Sequence, residues 1–492
     1  MKLFKVYLLT GLLLLSMAAC DGFLDVNEDP NRATEVPGDL LLPTVLVNVA
    51  SNRAMEIQPG TAFFINAWAS NGSTGVFIDP DRYIISSFST GNTWVNFYAT
   101  GLKNLDLMRA DADAVGRVNV VAQADILKSY LFWMLTAMWE DIPYTQALDG
   151  DTYPHPEFDD QETILRGIVE TLENAVAMID PDGLPGVDDG DLIFGGDMEQ
   201  WEKFANSLKL RTLMMIRNQD AGVDSQIAAL LNEPLIRTNA DEAAIPFFDE
   251  TNNENLVWRL NNMFGGFTNS MNGNSFIYAG ETLVDLMKDL GDPRIDTYFE
   301  LAVEDHNQSP DGGGAATTEH FGQTAGVANW NNSETSMVSQ NIIRRDWPSR
   351  ILPAAEVWFY EAEFLALTGD LNGAHASYLQ GVQAALDFFD GKPGAIAADD
   401  KQAYIDGLPG SFGSQGVALN AIHAQQYIEV LDRAPENWTH WRRTKYPDLP
   451  VAEQAVLGDI IRRFPLPPSE LSSNPNTPAP PNLDAPMWFE GN

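Results

Sequence analysis

The 492-residue sequence holds a single cysteine, only 29 Lys+Arg against 69 Asp+Glu, and no apolar run of membrane-spanning length beyond its N-terminal segment. One thiol excludes an intrachain disulfide and any multi-cysteine metal site. The shortage of cations leaves a formal net charge of −40. That balance argues against nucleic acid, whose phosphates are bound by neutralising Lys and Arg. It argues equally against bulk attraction to anionic lipid or to a polyanionic substrate. Catalytic signatures are missing too: there is no HExxH, no GxSxG and no GK[ST] phosphate loop. What is present is 45% hydrophobic residues and 10% aromatics, enough for a large core and incompatible with disorder throughout.

The first residues, MKLFKVYLLTGLLLLSMAAC, join a basic start (Lys2, Lys5) to an apolar run from Val6 to Leu15 and small residues before Cys20. This is the pattern of a secretory signal peptide over residues 1–19, too short and wrongly flanked for a transmembrane anchor. Small residues directly before a cysteine resemble the bacterial lipobox, with Met17 where Leu is usual. Cys20 is thus the expected lipidation site, and a multiply acylated cysteine anchors firmly where one chain would not. Removing residues 1–19 takes away Lys2 and Lys5 and moves the formal charge from −40 to −42.

Helix signals dominate the rest. Apolar residues near a 3.6 period predict helices over Trp94–Ala112, Asn119–Trp139, Asp160–Ile179 and Met198–Arg217. Pro143 closes the second of these. Between Asn252 and Arg350 the composition shifts to Asn, Gly, Ser and Thr with scattered aromatics. There we expect long irregular structure, one helix near Gly280–Leu290 and a few short strands. Helices resume as a pair, Ala354–Leu367 and Leu371–Phe389, joined by Thr368-Gly369-Asp370 with tetratricopeptide-like small residues. A second pair is expected around Asn420–Asp432 and Glu436–Tyr446. The organisation read is one domain, residues 20–492: helical scaffold over 36–250 and 351–463, a loop-rich ligand-side insertion over 251–350, and an extended surface tail over 464–492.

Several blocks, in order, carry a family resemblance. FLDVNEDPN follows the cysteine; AQADILKSYLFWMLTAMWEDIPYTQAL (122–148), WEKFANSLKLRTLMMIRN (201–218) and DLGDPRIDTYF (289–299) come next. PAAEVWFYEAEFLALTG (353–369), ENWTHWRRTKYP (436–447) and RRFPLPPSELSSNPN (462–476) complete the series. Together they resemble the SusD/RagB family of outer-membrane nutrient-binding lipoproteins, in its SusD-like branch. The resemblance implies a mainly α fold of tetratricopeptide-type helix pairs with an irregular insertion. It also implies capture of an oligosaccharide at the cell exterior, delivery to a SusC-like TonB-dependent transporter, and no covalent chemistry. A RagB-like peptide-binding lid is the close alternative, and a surface glycoside hydrolase with two carboxylates across a cleft or a purely structural repeat scaffold are remoter ones.

Sugar recognition needs flat aromatic faces flanked by Asn, Asp or Arg, and the resemblance implies a site between residues 66–94 and the insertion. The first stretch offers Trp68, Asn71, Asp79, Arg82, Tyr83 and Trp94, with Trp68 read as helical; the second offers Trp258, Phe264, Tyr278, Trp330 and Trp347. The ligand set expected is Trp68, Asn71, Arg82, Tyr83, Trp258, Trp330 and Trp347, with Trp330 the foremost platform. The acidity favours a neutral glycan; only Arg344, Arg345 and Arg350 could form a local basic patch. Arg442 and Arg443 beside Trp438 and Trp441 read as structural, as does the Glu140-Asp141 helix end. No cofactor is expected beyond a structural calcium in the Asp-rich run Asp180–Asp191, which lacks the EF-hand ligand order.

Overall fold

The computed structural model describes residues 38–70, 77–87, 90–263, 277–302, 318–327 and 335–491. The chain is mainly helical, and several of the expected helices have an identifiable local cause. Asp160 accepts from Thr163 N at 2.8 Å to start the Gln161–Met178 helix, and Asp197 accepts from Glu199 N at 3.0 Å to start Met198–Arg217. The Val118–Trp139 helix buries nearly its whole circumference, which makes it the central rod of the N-terminal half. It packs on Gln161–Met178, which packs in turn on Met198–Arg217.

The C-terminal half repeats this arrangement. Ala354–Thr368 turns back at Gly369 (φ +93°), a left-handed position that favours glycine, and Leu371–Asp387 lies against it. Gln415–Glu429 packs on both, and Ala434–Thr444 reaches across to Gln58–Phe64 near the N-terminus. Several helices escape the sequence reading, Asp224–Leu230 among them. Leu41–Asn52, continued through a π-turn at Arg53–Ile57 into Gln58–Phe64, precedes the first strong periodicity. Ala398–Gly407 follows the first C-terminal pair.

Few strands accompany the helices. β1 (Trp68–Ser70) pairs antiparallel with β3 (Ile277–Ala279) in the register Trp68↔Ala279 and Ser70↔Ile277. β2 (Ala243–Ile245) pairs antiparallel with β4 (Ser349–Leu352). Trp68 therefore lies on a strand, not on a helix as its sequence context suggested. The insertion holds Glu281–Leu290, as expected, and also Leu256–Met263 and a single turn at Ile295–Tyr298. The C-terminal stretch is only partly a surface strap. It carries a short helix at Pro468–Ser473, and Phe464, Met487 and Phe489 return to the core.

Buried ion pairs lock the helices together. Arg211 meets Glu356 at 2.7 Å, Arg433 bridges Glu356 and Glu429, and Arg53 meets Glu436 at 2.6 Å. Arg350, at the edge of the insertion, joins the same web through Glu242 (2.5 Å), Glu429 (3.1 Å) and Asp432 (3.2 Å). Such groups are tolerated in a core only because each charge has a partner within hydrogen-bond reach.

Candidate functional site

The two stretches expected to face a ligand are knitted together by backbone and side chain. Besides the β1–β3 pairing, Asn66 Oδ1 accepts from Thr282 N at 3.0 Å, and its Nδ2 donates to Gln323 O at 3.2 Å. Gln323 Nε2 in turn donates to Ser70 O at 2.9 Å. Arg82 Nε donates to Gly326 O at 3.1 Å. Gly280 sits at the closest approach: a Cβ there would fall 1.8 Å from Asn66 O, so any larger residue would pry the seam apart. Asp81 supports the seam from within. Its Oδ2 accepts from Ser70 Oγ at 2.7 Å, and burial lifts its pKa to about 6 against the opposing hydrogen bonds from Ser70.

A small cleft opens beside this seam. Trp68 and Trp347 line it together with Asn255, Val257, Ile342 and Ile343, and its volume is about 40 Å³. Trp347 is fixed by its Nε1, which donates to Asp432 Oδ2 at 2.9 Å, and by stacking on Phe389. Asn255 is fixed by its Nδ2 donating to Trp347 O at 2.9 Å and its Oδ1 accepting from Val257 N at 2.8 Å. Two residues that line the cleft keep a buried nitrogen without an acceptor among the described residues, Trp68 at Nε1 and Arg53 at Nε. On the other side of Phe63, whose ring contacts both Trp68 and Phe77, a larger cavity of about 360 Å³ is lined by Met55, Phe77, Asp79, Ile84 and Thr90.

The expected ligand residues divide three ways. Trp68, Tyr83 and Trp347 are at most 4% exposed and present no open ring face. Tyr83 is held by its hydroxyl, which accepts from Ala452 N at 3.1 Å. Trp94 and Tyr278 are likewise core. Arg82 and Trp258 are half-buried, and Arg345 lies over the Trp258 ring at 5.0 Å. Asn71, Trp330, Phe264 and Cys20 lie outside the described residues. The three arginines named as a basic patch are each engaged: Arg344 with Asp346 (2.6 Å), Arg345 with Asp249 (2.9 Å), and Arg350 in the buried web. Missed altogether were Arg53, Asn255, Val257 and Asp432. No local signal marks them, because Arg53 reaches its partner Glu436 across 383 positions.

The remaining candidates are structural. Arg442 lies 3.7 Å from the centre of the Trp438 ring and donates to Arg462 O at 2.7 Å; Arg443 pairs with Glu363. Glu140 pairs with Arg463 and accepts from Trp488 N, while Asp141 accepts from Gln161 N. In the Asp-rich run, Asp191 accepts from Ile193 N, Phe194 N, Gly196 N and Trp201 Nε1. Asp180 accepts from Asp182 N, and among the described residues no group of three potential metal ligands gathers. These carboxylates cap the local backbone. A cavity of about 770 Å³ lies between Leu290–Thr297 and Gly394–Leu408. Its one aromatic, Tyr404, is 8% exposed and already donates to Asp292 Oδ2 at 3.0 Å, so it lacks the open ring face a sugar needs.

Paired helices carrying a loop-rich face define a helical binding scaffold, and comparison with known proteins places it. The model of the SusD-like family described as "Starch-binding associating with outer membrane" matches residues 30–467, and the chain belongs to that family. Among solved structures, a chitin-binding protein aligns with a TM-score of 0.78 at 22% identity, covering 92% of this chain and 100% of that one. A SusD homolog from Bacteroides uniformis gives 0.73 at 21% identity, covering 92% and 99%. A SusD/RagB family protein from Bacteroides thetaiotaomicron gives 0.71 at 18% identity, covering 93% and 99%. At these identities the structural likeness establishes the fold. No curated protein matches. Among the described residues no helix is long and apolar enough to cross a membrane.

Proposed function

We propose that this protein is a surface lipoprotein that captures a neutral oligosaccharide and hands it to a SusC-like TonB-dependent transporter. The family match over residues 30–467 carries the reading. Cys20, at the end of a signal-peptide pattern, would hold the mature chain to the outer membrane. The work is binding, without covalent chemistry, on the face where residues 66–94 and 251–350 are sewn together. The half-buried Trp258 and Arg82 are the members of the expected set that remain reachable there among the described residues. Neutral cargo is favoured because Arg344, Arg345 and Arg350 are already paired and the chain is strongly acidic. The fold relative named as chitin-binding puts chitin oligosaccharides beside starch oligosaccharides in the panel to test.

Isothermal titration against neutral glycans, uronate-containing glycans and peptides tests the reading. Heat from one or more neutral glycans is expected. Heat from peptides alone would replace it with the RagB-like alternative, and release of reducing ends from a polysaccharide would contradict a binding-only role.

A further inference from the structure

We infer that the cleft of about 770 Å³ between residues 290–297 and 394–408 docks an extended, lysine- or arginine-bearing segment of a partner protein. The inference goes beyond the glycan-binding reading and does not rest on it. The cleft falls within the size range of ligand sites, about 300–1,000 Å³. It offers no sugar platform, since Tyr404 is buried and tied to Asp292. Six of its fourteen lining residues are glycine or alanine, so a second backbone can come close. Residues 395–397 lie outside any helix or strand, where an extended segment can pair main chain to main chain.

Its charge is of one sign. Asp296 and Asp400 line the cleft, and no Lys or Arg does. The Asp296 side chain is 81% exposed, although its Oδ1 lies 2.8 Å from His320 Nε2, and Asp400 is exposed. The nearest cations along the chain are engaged elsewhere. Arg294 is buried against Asp292 at 2.5 Å, and Lys401 pairs with Asp387 and Asp390. The amino end of the Ala398–Gly407 helix, which by itself favours an anion, already carries Asp399 and Asp400 in its first turn. Leu290, Pro293, Ile396 and Leu408 complete the walls and suit the methylene stem of a basic side chain. Charge complementarity therefore selects a cation on an aliphatic stem. This chain does not supply one. Beyond the signal peptide, its stretches outside the described residues hold a single cation, Arg32. A second copy is repelled by the same acidic surface.

Titration of the mature protein with a blocked pentapeptide alternating Lys and Ala, and with its Gln–Ala counterpart, tests the inference. The Lys peptide is expected to bind about fivefold or more tighter than the Gln peptide, and the gap should close in high salt. Asp400→Lys should weaken the Lys peptide about tenfold. Asp399→Lys makes the same charge change one position earlier on the same exposed turn, off the cleft lining, and should weaken it less than about twofold. Ala403→Trp fills the cleft from an exposed position of the Ala398–Gly407 helix and should abolish binding, with the thermal midpoint measured alongside. Equal affinity for the two peptides overturns the inference, as does binding of neither. Equal weakening by the two Asp→Lys variants, or binding that survives Ala403→Trp in a folded protein, overturns it too. If 1,5-diaminopentane binds as tightly as the Lys peptide, the site takes a small amine and the polypeptide occupant is wrong. Glycan affinity should be the same in all three variants, and failure of every glycan to bind would remove the glycan reading while leaving this one standing.

Discussion

The helical scaffold and the ligand-side insertion differ in what their ion pairs join. In the scaffold, ion pairs are buried and join distant parts of the chain: Arg53 with Glu436, Arg211 with Glu356, Arg433 with Glu356 and Glu429. In the insertion, the buried pair of Arg294 with Asp292 joins residues only two apart, while Arg345 with Asp249, Arg344 with Asp346 and Lys288 with Glu319 each leave at least one partner well exposed. The first kind is shielded from salt and cannot be broken singly without stranding a charge; the second is screened and weakly coupled. Rigidity is therefore concentrated in the helices, and the insertion is held to them by a few seams, of which the Asn66–Gly280–Gln323 junction is the tightest.

The sharpest way to break this contrast is Arg433→Met. It should cost about 3 kcal/mol in urea denaturation, because Glu356 and Glu429 lose the cation they share and keep only Arg211 and Arg350. A loss below 1 kcal/mol would show that the web contributes little. Next comes Gly381→Ala, whose Cβ would stand 2.5 Å from the Phe359 ring across the helix pair; a loss of about 1–3 kcal/mol is expected from overpacking.

Mild acid should move the C-terminal helices and the seam around Asp81 in opposite directions. Burial, reinforced by Arg443, holds His440 well below the ordinary histidine range, and burial lowers His423 against the pull of Glu363. Their contribution is complete above the unfolded value of about 6.5 and is lost as pH falls below it. Asp81 behaves in the reverse sense. With its folded pKa raised to about 6, its contribution is complete below about 3.9 and is lost as pH rises through about 6. Hydrogen exchange corrected for intrinsic rates, compared at pH 7 and pH 5, should show weaker protection over 415–444 and stronger protection over 68–83. The same sign in both segments would contradict the assignment. The smallest effect belongs to Arg345→Met, which should change stability by less than about 1 kcal/mol. Any loss should shrink further in high salt, since the Asp249 partner is solvated.

The helices were legible because their causes are local. The repeat of Ile164, Ile168 and Leu172, the cap at Asp160 and the turn at Gly369 each act within a few residues, and Met198–Arg217 and Glu281–Leu290 formed where their periodicity placed them. Leu41–Asn52 and Ala398–Gly407 were missed because their apolar faces are incomplete without the elements they pack against. The aromatic residues of the ligand side were legible only as a composition. A tryptophan in a loop-rich sequence suits a sugar platform and a core equally well, and burial at Trp68, Tyr83 and Trp347 was decided by packing from elsewhere.

By itself, then, the sequence determined the class of the fold, the family and the acidity of the surface, since periodicity, ordered motifs and net charge need no knowledge of what touches what. Tertiary structure alone decided which cations are paired and, among the described residues, which aromatic side chains are buried. Those facts depend on contacts such as Arg53 with Glu436 and Trp347 with Asp432, between residues that only the folded chain brings together.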